Sequence, residues 1–455
     1  MGGARRDRLR GWARSRRAAS WGAVVWWSGV AMPCAAAGEV AYPPKLPGGK
    51  SVATVRTDAF LRPPEGMKGV AVAAEAPTVD LLYYPCQTYA GKPWSNWGDG
   101  CAAGEKYYSA IGDHLAPGGN AYVYEYDAAA RKLRLLVDVR AVLKLPGGHY
   151  TPGKIHSRLD LGDDGWLYFA THRGSTRVTT DEYHYRGDWL LRAHPPTGRT
   201  EVVAHGPVGK HCIPCSVLDP KRGIFYGGTQ PGDRQDKRHV FFAYDTKARK
   251  LLYRGYDGPG RYMIFARSTG RLYFVPNLAG KLHRYDPAAG GKPVELDVEM
   301  GLRAATKETP QGCVYAVSGK GDATLVRFDV RTERVEELGS AAVGSQTYVT
   351  SLDAGPAGRY LYYVPGAHGG SYRDGAAVVQ YDVRTRRKKV LAFLHPALKE
   401  QWGYTPLGTF STAVSGKGDK LFITWHGSRA TSWQRRPSWD TCALTVVHIP
   451  ASQRR

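Results

Sequence analysis

The chain has 455 residues, 42% of them hydrophobic and 23% charged, which excludes a disordered polymer and allows a large packed core. Lysine and arginine outnumber aspartate and glutamate by 63 to 40, a formal charge of +23 that favours anionic partners. No lysine-rich tail or basic helical stripe accompanies the excess, so nucleic acid is not an expected partner.

The chain opens on Arg5, Arg6, Arg8, Arg10, Arg14, Arg16 and Arg17, followed by a mostly apolar run from Ala18 to Met32. Ala35, Ala36 and Ala37 then offer small residues for cleavage, so residues 1–37 read as a signal peptide. The run is too short for a comfortable membrane span, and no membrane span is expected elsewhere. Arg16-Arg17 hints at twin-arginine export and Cys34 at a lipoprotein. The Ala18-Ala19-Ser20 that follows and the Pro33 before the cysteine favour an ordinary cleaved leader. The mature protein is therefore expected in the periplasm or outside the cell, with a formal charge of about +17. An acidic carbohydrate or an envelope polymer suits such a surface, although a GC-rich genome choosing arginine codons would produce the same excess.

Beyond the leader, a two-part signature recurs seven times. Its first part is a short aromatic run: Lys106–Tyr108, Trp166–Phe169, Ile224–Tyr226, Leu272–Phe274, Cys313–Tyr315, Leu361–Tyr363 and Leu421–Ile423. Its second is an apolar run ending in aromatic-Asp, as at Tyr126-Asp127, Tyr244-Asp245, Tyr285-Asp286, Phe328-Asp329 and Tyr381-Asp382. His194-Pro195 and His448-Ile449 are degenerate copies. Short strands punctuated by Gly and Asp, with no convincing amphipathic helix, predict an all-β protein. Seven units of four strands predict a single domain over residues 38–455, a seven-bladed β-propeller of four-stranded antiparallel blades. The last copy runs out near Pro450, so an N-terminal strand within Val52–Phe60 or Val79–Tyr84 is expected to close the ring. A monomer is expected.

A propeller gathers chemistry at one mouth of its central channel, where the second strands of the blades end. There the sequence places His114, His172, His368 and His426, with Gln230, Asn277 and Ser318 in the other three blades. A lone histidine after a strand is usually a turn residue; four in register point to a ligand-facing ring. Before the first strands stand His156 and Arg158, then Lys210-His211-Cys212, Arg261-Tyr262, Gln346-Thr347-Tyr348 and Trp402-Gly403-Tyr404. Strand alternation sets Ile155, Ser157 and Leu159 on one face and His156, Arg158 and Asp160 on the other. A salt bridge to Asp160 is the ordinary explanation for Arg158, and a ligand-facing cluster the sharper one. The long loop from Ser175 to Asp188 carries Arg177, Tyr183, His184, Tyr185 and Arg186 and is a candidate wall.

Cys86 and Cys101 read as a plausible disulfide in an oxidising compartment. For Cys212 and Cys215 a disulfide, a metal site and inert thiols all stay open, while Cys313 and Cys442 read as buried free thiols. Trp94, Trp97, Trp402, Trp433 and Trp439 offer stacking surfaces for sugar rings. No nucleophile elbow, phosphate loop, dinucleotide fingerprint or H-E-x-x-H is present.

A mouth of His, Tyr and Arg suits β-elimination of a uronide, which needs a neutralised carboxylate, a near-neutral base and an acid for the leaving oxygen. The pairing of His156 with His172 resembles the seven-bladed ulvan lyases. That resemblance implies a His base, a Tyr or second His as partner, and a uronate-binding Arg. Carried over, it makes His156 and His172 catalytic, with an arginine among Arg158, Arg173 and Arg261 and a tyrosine from Tyr185 or Tyr262. The family's tyrosine at the start of the next blade is absent, since His211 stands there. His114, Arg173, His211, Arg261, Tyr262, Tyr348, His368, Tyr404 and His426 are the expected substrate-binding set. Similarity to propeller lyases of short uronides implies instead one divalent ion, Mn²⁺, Ca²⁺ or Zn²⁺, with His156, His172, His211, His368 and His426 as candidate ligands. Two other readings stand beside the lyase: a glycan-binding or scaffold propeller without catalysis, and a metal-dependent lactonase of the gluconolactonase type using Glu308 and Asn277.

Overall fold

The computed structural model describes residues 40–232, 238–276, 279–319, 321, 323–433 and 437–454. The expected leader and Asn277 lie outside the described residues.

Each aromatic run forms the second strand of a sheet, and there are seven sheets. Blade 1 is Cys101–Ala103, Lys106–Gly112, Ala121–Asp127 and Lys132–Asp138, antiparallel throughout. Blades 2 to 6 begin with Pro152–Ile155, His211–Asp219, Met263–Ala266, Ala304–Ala305 and Leu352–Ala354, and blade 7 with Thr405–Val414. The chain is thus an all-β, seven-bladed propeller.

The aromatic-Asp repeat is a turn device. Asp127 accepts from the backbone N–H groups of Ala129 and Ala130, Asp245 from those of Lys247 and Ala248, and Asp329 from those of Arg331 and Thr332. Four residues after each aspartate the backbone turns left-handed, at Arg131, Arg249, Glu333 and Arg386, or at Gly290. The carboxylate satisfies donors that a tight hairpin leaves unpaired. Blade 2 makes the same turn with His194, whose Nδ1 lies 2.9 Å from Thr197 Oγ1, and with Gly198 left-handed.

Blade 7 departs from the repeat because its outer strands come from the other end of the chain. Thr78–Tyr83 pairs with Thr441–His448, and Ala53–Arg56 adds a fifth strand. Both segments expected as closing strands are therefore used. His448, standing where other blades have the turn aspartate, bonds Asp80 Oδ2 at 2.9 Å. Asp80 is 2% exposed and also takes Arg131 of blade 1 at 2.7 Å and the Thr54 hydroxyl at 2.6 Å.

Two expectations fail here. Cys86 and Cys101 do not form a disulfide: all six described cysteines are free thiols, and Cys101 packs into the core between blades 1 and 2. Trp94 is no stacking surface, being fully buried with its Nε1 donating to Tyr89 O. Among the described residues no helix is long and apolar enough to cross a membrane.

Candidate functional site

Irregularities in the inner strands shape the channel. In blade 1, Ser95 pairs with Gly112 and Cys101 with Tyr108, but the residues between leave the ladder and carry Asn96, Trp97 and Asp99 inward. In blade 2 the ladder breaks between Ile155 and Asp160, and the Ser157 hydroxyl bridges the gap by bonding both N and O of Ala170. Ile155, Ser157 and Leu159 face the core as expected from alternation, which turns His156 and Arg158 to the channel. In blade 7 the register shifts between Thr409 and Ser411, and Phe410 is the extra residue.

At the mouth where the inner strands begin lies a cavity of about 470 Å³. Trp97 lies at its base, 5.9 Å from the His156 ring and 4.9 Å from Phe410, with the Lys154 ammonium 4.6 Å from the indole. Lys154, Arg173, Arg177, Arg261 and Arg303 line this histidine mouth together with His156, His172 and His368. Five basic side chains so close together, with no carboxylate among the described lining residues, favour an anionic guest. Burial and the neighbouring arginines Arg173 and Arg261 push the Lys154 ammonium down to about 7. Arg261 is likewise lowered by burial and by Arg303.

His156 and His172 stand side by side, ring centroids 5.2 Å apart. His156 Nδ1–H donates to Pro214 O at 2.8 Å, and His172 Nδ1–H to Arg173 O at 2.9 Å. Each Nε2 is therefore the unprotonated nitrogen. That of His156 meets Arg261 Nη1 at 3.4 Å, and that of His172 meets the Cys212 thiol at 3.5 Å. Burial, aided by Arg261 and Lys154 around His156 and by Lys154 and His156 around His172, keeps both rings well below the usual imidazole range. Both are neutral bases at neutral pH.

Other expected site residues stand elsewhere. Arg158 and Tyr262 lie below Trp97: Arg158 reaches Tyr262 Oη at 3.2 Å and Asp160 at 3.6 Å and lines the opposite end of the channel. Tyr185 is 1% exposed and donates to Asp188 at 3.2 Å, and Tyr404 is fully buried in the blade 7 core; neither lines the cavity. His211 bonds the Thr229 hydroxyl at 2.8 Å and is not a lining residue. His114 bonds Ser95 and His426 bonds Asn96, both behind Trp97, with burial pushing each imidazole down to about 3. His426 also stacks on Trp439 at 4.0 Å. Arg173, Arg261, Tyr348 and His368 do join His156 and His172 in the cavity.

The five candidate metal histidines do not converge. Among the described residues no three His, Cys, Asp or Glu side chains are gathered to hold an ion, so no step here is built on a metal. The lactonase pair fares no better, since Glu308 sits at the far mouth and accepts from Ser268 N at 2.9 Å. Sequence reasoning gave no role to Lys154, Arg303 or Phe410. Arg303 could have been found: it precedes the inner strand of blade 5 as Arg261 precedes that of blade 4. It is 4% exposed and its Nε donates to Tyr348 Oη at 2.8 Å.

No family profile and no curated protein matches the chain. A solved structure of a mitotic checkpoint complex is similar over 81% of this chain and 90% of that one, with 10% identity and a TM-score of 0.49. The β-propeller domain of the trilobed protease from Pyrococcus furiosus is similar over 79% and 94%, with 10% identity and a TM-score of 0.44. Neither likeness carries a functional argument.

Proposed function

We propose that the chain is an exported propeller lyase that cleaves a uronate-containing polysaccharide or oligosaccharide by β-elimination. One observation carries this reading: the unprotonated Nε2 of a neutral histidine, His156, held 3.4 Å from Arg261 Nη1, borders a cavity whose charged lining side chains, among the described residues, are all basic. Arg261 and Arg303 are placed to neutralise the uronate carboxylate, which acidifies the proton on C5. His156 Nε2 takes that proton. The electron pair left on C5 forms the double bond to C4, the C4–O bond breaks, and its electrons stay on the leaving oxygen. The Lys154 ammonium, poised near 7, returns a proton to that oxygen. The products are an unsaturated uronide and a new hydroxyl end, and solvent exchanges the proton between His156 and Lys154. Trp97 and Phe410 offer apolar faces to the sugar rings.

The test is ultraviolet absorbance of the conjugated product when the mature protein meets a panel of uronate polymers and oligomers. A rise abolished by His156→Gln in a folded variant supports the lyase. Binding of the same oligomers with a flat trace would leave a glycan-binding propeller in its place.

A further inference from the structure

At the far end of the channel the inner strands of blades 1, 5, 6 and 7 surround a second cavity, of about 180 Å³. It meets the histidine mouth at a waist of about 20 Å³, and Asp99 and Arg158 line both waist and cavity. Among the described residues four buried polar atoms there have no hydrogen-bond partner: Asp99 Oδ1, Arg158 Nε and Thr309 Oγ1 at the cavity, and Ser216 Oγ at the waist. Buried polar groups are as a rule paired, so these mark where something else is held.

We propose that this carboxylate mouth is a second binding site, for a neutral polyhydroxylated molecule such as a single uncharged sugar or polyol. The unpaired atoms choose the class. A cation would satisfy Asp99 Oδ1 and leave Arg158 Nε bare, and an anion would do the reverse. A hydroxyl group accepts from the guanidinium and donates to the carboxylate at once. Around it stand a linked set of acceptors and hydroxyls: Thr412 Oγ1 donates to Asp353 Oδ2 at 2.7 Å and lies 2.8 Å from Ser351 Oγ. Burial raises both carboxyls, Asp353 to about 7 with the charge of Asp99 contributing, which weakens any claim by a metal ion. At ~30 Å³ per water the cavity has room for about six waters or one small ring, not for a polymer.

The test is calorimetric titration of the mature chain with glucose, galactose, xylose and inositol, beside glucuronate and Ca²⁺ as charged probes. At least one neutral probe is expected to bind. Its affinity should fall at least tenfold in Asp99→Asn and in Ala354→Leu, which adds bulk to the cavity lining. Arg177→Gln, which lines only the other mouth, should leave it unchanged, and melting curves confirm that each variant folds. Failure of every neutral probe, binding that survives both variants, or Ca²⁺ binding in place of sugar would overturn the proposal. A failed elimination assay with this binding intact would remove only the reading of the histidine mouth.

Discussion

His156 Nδ1 lies 2.8 Å from the carbonyl oxygen of Pro214, on the neighbouring blade. That carbonyl is available because blade 3 shifts register between Cys212 and Cys215, which takes Pro214 out of the ladder. The C-x-x-C spacing therefore acts neither as a disulfide nor as a metal pair, but as a bulge that orients the base. Replacing His156 by Gln is expected to cut elimination by about 10²–10⁴-fold, with the melting temperature little changed. Equal activity in the variant would remove His156 as the base.

Arg303 is expected to act through binding. Its Nε is held by Tyr348, so its remaining donors face the cavity already oriented. Arg303→Gln should weaken binding of a uronate oligomer by about 1.5–3 kcal/mol, the range for a hydrogen bond to a charged group. Tyr348→Phe should cost less. Calorimetry at low and high salt checks both, since the arginine's share should shrink as salt rises.

Anion binding should depend on pH through Lys154. Because its ammonium is lowered to about 7, the charge is present below that pH and lost above it. Affinity for a uronate is therefore expected to drop as pH rises through about 7, and Lys154→Met should flatten that slope. A slope unchanged in the variant would assign it to another group.

His426 offers a test of stability. Its fully buried ring stays neutral down to about 3, whereas in the unfolded chain it charges below about 6.5. Its folded pKa is depressed, so protonation favours the unfolded chain as pH falls from about 6.5 towards 3. The stability lost in His426→Gln should therefore be smaller at the acid end of that window than at neutrality. Thermal melts of both proteins across the window measure the gap.

Asp80 ties the ring. Its pKa is lowered by the hydrogen bonds from His448 and Thr54 and by Arg131, against the cost of burial. Its contribution is thus present above the ordinary carboxylate range and lost as pH falls below it. Asp80→Ala is expected to cost about 1.5–3 kcal/mol, the range for lost hydrogen bonds to a charged group, since Arg131 and His448 are themselves partly exposed. Denaturant unfolding at neutral pH is the measurement.

The blade count was legible because the turn aspartate is a local device: Asp245 bonds N–H groups two and three residues on, so each copy reads in isolation. The histidine pair was legible for a similar reason, since Lys154 and His172 are ladder partners and His156 follows two residues later on the same face. The depth of a side chain along the channel was not legible. Arg158 and His156 share a face and both border the waist, yet they serve opposite mouths, and Trp97, which intrudes from blade 1, lines the waist and the histidine mouth but not the far cavity. That intrusion depends on a bulge between Ser95 and Cys101 that no periodicity announces. Tyr185 is expected near the mouth by proximity alone and Tyr404 by its place before the first strand of blade 7, but the packing of blades 2 and 7 turns both into the core.

The closure of blade 7 also sets an order of events. Thr78–Tyr83 is among the first strands made and its partner, Thr441–His448, is the last. Until that partner emerges, Thr78–Tyr83 has only Ala53–Arg56 beside it, and its other edge is open to any strand nearby. Contacts spanning nearly the whole chain form only after a large loop-closure cost, which makes folding slow and concerted. A ribosome-bound chain stopped short of blade 7 would thus carry six blades and no ring, open to the wrong neighbour for as long as synthesis lasts.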